Sequence, residues 1–76
     1  MPHVEIKCYP GRTEEVKKRC AEKVAGDIAE YLGCSASSVS VSIKEVPQEN
    51  WKEQVYEGQI MADKASLYVE PGYTCD

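Results

Sequence analysis

The residue with the most distinctive chemistry in this sequence is the second one. The chain opens MPHVEIKCYPGR. An initiator methionine is normally removed when a small residue follows it, and proline is small enough. Removal converts Pro2 from an amide into a free secondary amine. An amide nitrogen is not a base at neutral pH, whereas an α-amino group titrates at about 7.7–8.0. A prolyl amine is intrinsically somewhat more basic, and an apolar pocket lowers such a value by disfavouring the charged form. The amine can then serve as a general base near neutral pH. The pyrrolidine ring fixes the direction of the nitrogen, which favours positioned proton transfer.

Other reactive side chains are few. The four cysteines, Cys8, Cys20, Cys34 and Cys75, are widely spaced, and there is a single histidine, His3. That spacing lacks the common zinc patterns. Without a secretion signal it does not read as a disulfide framework either. Cys8 and Cys20 are expected in the core and Cys75 in an exposed tail. The formal net charge is −4, with no basic cluster beyond Lys17-Lys18-Arg19. Nucleic-acid binding is therefore not expected. No apolar run approaches the roughly 20 residues of a membrane span. The opening lacks a charged-then-apolar leader, so the expected location is the cytoplasm.

The elements that must position Pro2 follow from periodicity. Val4, Ile6 and Cys8 alternate with His3, Glu5 and Lys7, the signature of a half-buried strand over residues 3–9. Pro10-Gly11 breaks it. Thr13 is a helix cap, with Glu14 and Glu15 in the favourable first turn. Val16, Cys20, Val24, Ile28 and Leu32, widened by Ala21, Ala25 and Ala29, then form a helical stripe of about 20 residues that Gly33 terminates. Val39, Val41 and Ile43 alternate in a second strand ending at Val46-Pro47. Strand, long helix and strand predict a right-handed β-α-β crossover joining parallel strands. For residues 47–76 the expectation is a helical turn near 48–56 and a second helix near 61–69, ended by Pro71-Gly72.

Seventy-six residues make one domain, over 1–76. A chain this short buries only about 60% of its unfolded surface. Two strands are not stable alone, so the sequence predicts a partner chain that extends the sheet. An arginine at the strand-to-helix turn, Arg12, and an aromatic after the second strand, Trp51, complete the pattern.

Those features resemble the 4-oxalocrotonate tautomerase family. PHVEIKC, SSVSVSI, ENW and PGY are especially similar to its small dimeric cytoplasmic subgroup. The resemblance implies an α+β fold, a β-α-β unit with short C-terminal helical segments whose strands join across subunits. It implies a cofactor-independent, metal-free keto–enol isomerase with Pro2 as the acid/base. By the same resemblance, Arg12 binds a substrate carboxylate, a role that suits a planar guanidinium. Ser40 stands where hexameric members carry a second arginine. It supplies a hydrogen bond and no charge, so a monocarboxylate 2-oxo acid or its enol, such as an aryl pyruvate, fits better than a dicarboxylate. Trp51 matches an aromatic of the apolar pocket wall. The longer C-terminal segment favours a homodimer over a hexamer.

An extended strand separates Pro2 from Arg12 by about 25–30 Å within one chain. The arginine that meets Pro2 is therefore expected from a partner subunit. Two alternatives remain. One is a hydratase or dehalogenase of unsaturated acids, with Glu53 activating water. The other is a non-catalytic dimeric binding protein, the outcome if Met1 persists.

Overall fold

The computed structural model describes residues 1–76. Strand β1 (His3–Cys8), helix α1 (Glu14–Leu32) and strand β2 (Ser40–Glu45) follow in order. The two strands pair in parallel with His3 opposite Ser40, Ile6 opposite Ile43 and Cys8 opposite Glu45. The expected β-α-β unit is present.

Local chemistry sets the helix ends. Gly11 has φ 129°, a left-handed value that suits a residue without a Cβ. It turns the chain between β1 and α1. Thr13 Oγ1 then accepts the Val16 N–H at 3.2 Å, satisfying one of the orphan donors of the first turn. At the other end Gly33 adopts φ 69° and ψ 45°. Its N–H and that of Cys34 both donate to the Ala29 carbonyl, so the last turn closes on itself.

Side chains alternate across the sheet. Val4, Ile6, Val41 and Ile43 are half-buried, while His3, Glu5, Ser40 and Lys44 are exposed. Along α1 the half-buried positions are Lys17, Ala21, Val24, Ala25, Asp27, Ile28 and Ala29. The middle of the predicted stripe is covered and its ends are not. Val16 is 51% and Leu32 64% exposed, and no residue of α1 is buried. Lys17 fastens the helix to β2 through Glu45, 3.3 Å from its ammonium, and also pairs within the first turn with Glu14 at 2.8 Å. Those carboxylates, Glu14 first, hold the Lys17 pKa above its ordinary value.

The chain divides into two compact units, Met1–Glu45 and Val46–Asp76. In the second, α2 (Gln48–Trp51) continues directly into a π-helical stretch, Lys52–Met61. The helical segment near 48–56 is therefore longer than expected, and of a different type. The second helix expected near 61–69 is only a single 3₁₀ turn, Lys64–Ser66. The cysteine expectations also change. Cys20 is exposed, Cys8 is half-buried and Cys75 is half-buried. Cys20 sits on the uncovered end of the α1 stripe, which explains its exposure.

Candidate active site

Pro2 precedes β1 and is held by β2. Its carbonyl accepts the Ser40 N–H at 3.1 Å, the first bond of the parallel ladder that starts at the His3–Ser40 pair. The terminus is thus anchored by the sheet, whereas Met1 is fully exposed. Ser40 is drawn to Pro2 by this bond and to His3 by a second one. His3 Nδ1 and Ser40 Oγ are 2.7 Å apart, on the exposed polar face of the sheet. Pro2, His3 and Ser40 form one cluster at the N-terminal end of both strands.

The same face carries a charge network. Glu5 lies 3.1 Å from Lys44 and 3.9 Å from Lys7. The hydrogen bond and charge of Lys44 are the main reasons that the Glu5 carboxyl is held below its ordinary value. Ser42 Oγ, also on β2, is buried without a hydrogen-bond partner.

Arg12 lies at the opposite end of the sheet. Its Nη1 donates to the Tyr9 carbonyl at 3.1 Å, one of the five N–H donors of a guanidinium. It borders a 220 Å³ cavity whose walls are mainly apolar and include Ile6, Cys8, Val16, Cys20 and Ile43. The six residues of β1, at about 3.3 Å each, put about 20 Å between Pro2 and the Cys8 end of the strand, beyond which Arg12 lies. Of the sequence-predicted residues, the fold therefore brings Pro2 and Ser40 together and keeps Arg12 apart from them.

Trp51 belongs to the second unit. It is half-buried, and its Nε1 donates to the Tyr73 hydroxyl at 3.2 Å. The Tyr73 ring in turn lies 5.7 Å from that of Tyr56, tilted by 42°. This geometry is typical of favourable aromatic pairs. Trp51 is thus oriented by an aromatic cluster of its own unit.

Sequence reasoning assigns no role to His3, the partner of Ser40. The strand alternations put both residues on polar faces, but only the register sets them opposite each other.

The geometry can be placed among known proteins. Residues 2–56 match the family model described as Tautomerase enzyme. Tautomerase PptA of Enterobacter sp. (strain 638) is 40% identical over 75 residues, covering 97% of this chain and 99% of the relative. A probable tautomerase of Xylella fastidiosa (strain 9a5c) is 36% identical over 73 residues, covering 96% and 89% respectively. A solved structure from a kinetic and structural characterization of the 4-oxalocrotonate tautomerase isozymes of Methylibium petroleiphilum superposes with a TM-score of 0.62 at 42% identity. It covers 66% of this chain and 81% of that one. With the β-α-β fold in common and a family match that starts at Pro2, the chain belongs to the tautomerase family, a family of isomerases of the 4-oxalocrotonate tautomerase type.

Proposed function

We propose that this protein is a cofactor-independent keto–enol tautomerase acting on a 2-oxo acid or its enol, phenylpyruvate-like in character, with the Pro2 amine as acid/base once Met1 is removed. The observation that carries the reading is the anchoring of Pro2 to Ser40 at 3.1 Å. A base must be held where it acts, and here the terminal residue is held by the sheet itself.

In the enol-to-keto direction the neutral Pro2 amine takes the enol oxygen's proton. The electron pair becomes the carbonyl π bond, the carbon–carbon π electrons move to the adjacent carbon, and Pro2 returns the proton there. Charge developing on the oxygen needs hydrogen-bond donors, and the hydroxyl of Ser40, the residue whose N–H holds Pro2, is a candidate donor to that oxygen or to the substrate carboxylate. The substrate carboxylate pairs with the partner's Arg12, since Arg12 of the same chain is at the far end of β1. Antiparallel pairing of two β1 edges would bring each Pro2 toward the other chain's Arg12, and this supports a homodimer. Trp51 supplies an apolar wall suited to an aryl group.

The test combines an intact mass with an assay of phenylpyruvate enol–keto conversion. In protein shown to lack Met1, Pro2→Ala should lower kcat/KM by about 10²-fold or more, the usual scale for removing a positioned acid/base. Unchanged turnover in that variant would remove Pro2 from the mechanism.

A further inference from the structure

We propose that His3 sets the direction of the Ser40 hydroxyl proton and so couples carboxylate binding beside Pro2 to the protonation of its own ring. The inference rests on the tautomerase reading above.

A serine hydroxyl has one proton to donate. At 2.7 Å the His3 Nδ1–Ser40 Oγ bond is short, and which atom donates depends on the charge of the ring. In the neutral ring with its proton on Nε2, Nδ1 is an acceptor and takes the Ser40 proton. The hydroxyl then has only lone pairs to turn toward an anionic substrate. When the ring is protonated, Nδ1–H donates to Oγ instead. The Ser40 proton is released to point at the substrate carboxylate or carbonyl oxygen. One proton added to His3 thus converts Ser40 from an acceptor to a donor at the candidate site.

Three features place this device where it can matter. His3 and Ser40 are cross-strand partners, so neither has to move for the exchange. Both are exposed, so solvent protons and ligands reach them. Ser40 also fixes Pro2 through its own N–H, so the residue that carries the hydroxyl is the one that anchors the proposed base. The charged groups on this face of the sheet are Glu5 and Lys7 from β1 and Lys44 from β2. Lys44 holds the Glu5 carboxyl below its ordinary value, so Glu5 keeps its charge while the imidazole changes charge. Histidine is the side chain that ordinarily does so between about pH 5 and 8.

His3 is the single histidine of the chain, so its ring-nitrogen NMR signals are unambiguous. The experiment follows its titration in the processed full chain, without and with hydrocinnamate, an aryl carboxylate that lacks the 2-oxo group and cannot tautomerise. The neutral ring should show Nδ1 unprotonated. Hydrocinnamate should raise the titration midpoint by about 0.5 unit, the reciprocal of about threefold tighter binding to the protonated form. Ser40→Thr should keep that rise and Ser40→Ala should abolish it. His3→Asn, which retains a hydrogen-bonding group but cannot titrate, should flatten the pH dependence of KM for phenylpyruvate. A neutral ring protonated on Nδ1, a midpoint that hydrocinnamate does not move, or an equal rise in Ser40→Ala would each overturn the coupling. The last of these would assign the rise to charge alone. Turnover in Pro2→Ala reports separately on the tautomerase reading, so the two can fail independently.

Discussion

The two units of this chain use opposite strategies. Met1–Glu45 is built of regular elements with well-formed caps, yet none of its residues is buried. Val46–Asp76 has an irregular helix and a long stretch without regular structure, yet it holds both buried hydrophobics, Val46 at 8% and Val55 at 4% exposure. Backbone regularity and burial are separate achievements. Caps, turns and alternating side chains specify the first locally. The second needs enough chain on both faces of an element, and a two-stranded sheet with one helix does not provide it.

The largest expected effect tests whether the open unit is completed by a second copy. Arg12→Ala should lower kcat/KM for phenylpyruvate by about 10–100-fold, the scale of a lost hydrogen bond to a charged group. Arg12→Lys should recover only part, because an ammonium lacks the planar fork. Mixing Pro2→Ala and Arg12→Ala chains after co-refolding should restore turnover. If each site takes Pro2 from one chain and Arg12 from the other, random pairing regenerates about a quarter of the sites. No recovery in the mixture would mean that Arg12 and Pro2 do not serve one site across subunits.

Next in size is the contrast in burial. Val55→Ala should cost about 2 kcal/mol in denaturant unfolding, a transfer-plus-cavity loss at a buried site. Val16→Ala removes the same atoms from a half-exposed position and should cost under about 1 kcal/mol in an isolated chain. In an assembly that covers α1 the Val16 cost should grow with protein concentration. Equal, concentration-independent costs would erase the distinction between the units.

Glycines sharpen the comparison at the backbone. Gly26 lies within α1, where an added Cβ would meet nothing within 4 Å. Gly26→Ala should therefore stabilise by about 0.5–1 kcal/mol through helix propensity and a less flexible unfolded chain. A Cβ on Gly58 would meet the Glu53 carbonyl oxygen at 2.8 Å. The five-residue spacing is that of a π-turn, so the obstacle is backbone and must shift. Gly58→Ala should destabilise by about 1–2 kcal/mol. A matching gain at both glycines, read by thermal unfolding, would show that Lys52–Met61 accepts an ordinary α-helix.

The same contrast explains what could be read from the sequence. Thr13, Gly33 and the two alternating runs mark the ends and faces of β1, α1 and β2, because each signal acts within a few residues. The π-helical stretch escapes such a reading for a specific reason. From the last residue of α2 onward the covered positions are Trp51, Val55 with Tyr56, and Ile60 with Met61, a recurrence of four to five residues. A search at 3.6 residues per turn breaks that series in two. For the candidate site, Pro2, Arg12, Ser40 and Trp51 could be put forward from residue type and family likeness. The pairing of His3 with Ser40 could not, because a parallel register is set by packing between distant strands.

The smallest effect concerns the ion pairs that hold this register on the polar face. Glu5 bridges β1 to Lys44 of β2 at 3.1 Å, and its carboxyl is held below its ordinary value of 4.5, chiefly by that lysine. A depressed folded-state value means that the folded chain resists taking up the proton. The stabilisation is present above the unfolded-state value, and it is lost as pH falls through the lower folded-state value. Glu5→Gln should therefore lower the Tm slightly at neutral pH and leave it unchanged in strong acid, which flattens the acid limb of the Tm–pH curve. The effect is small because the pair is solvated and salt-screened. Lys44→Gln should produce the same flattening, and the double variant no more than either alone. If the two losses add in full, Glu5 and Lys44 act independently, and the register of β1 on β2 is held by the backbone ladder and the apolar face without help from charge.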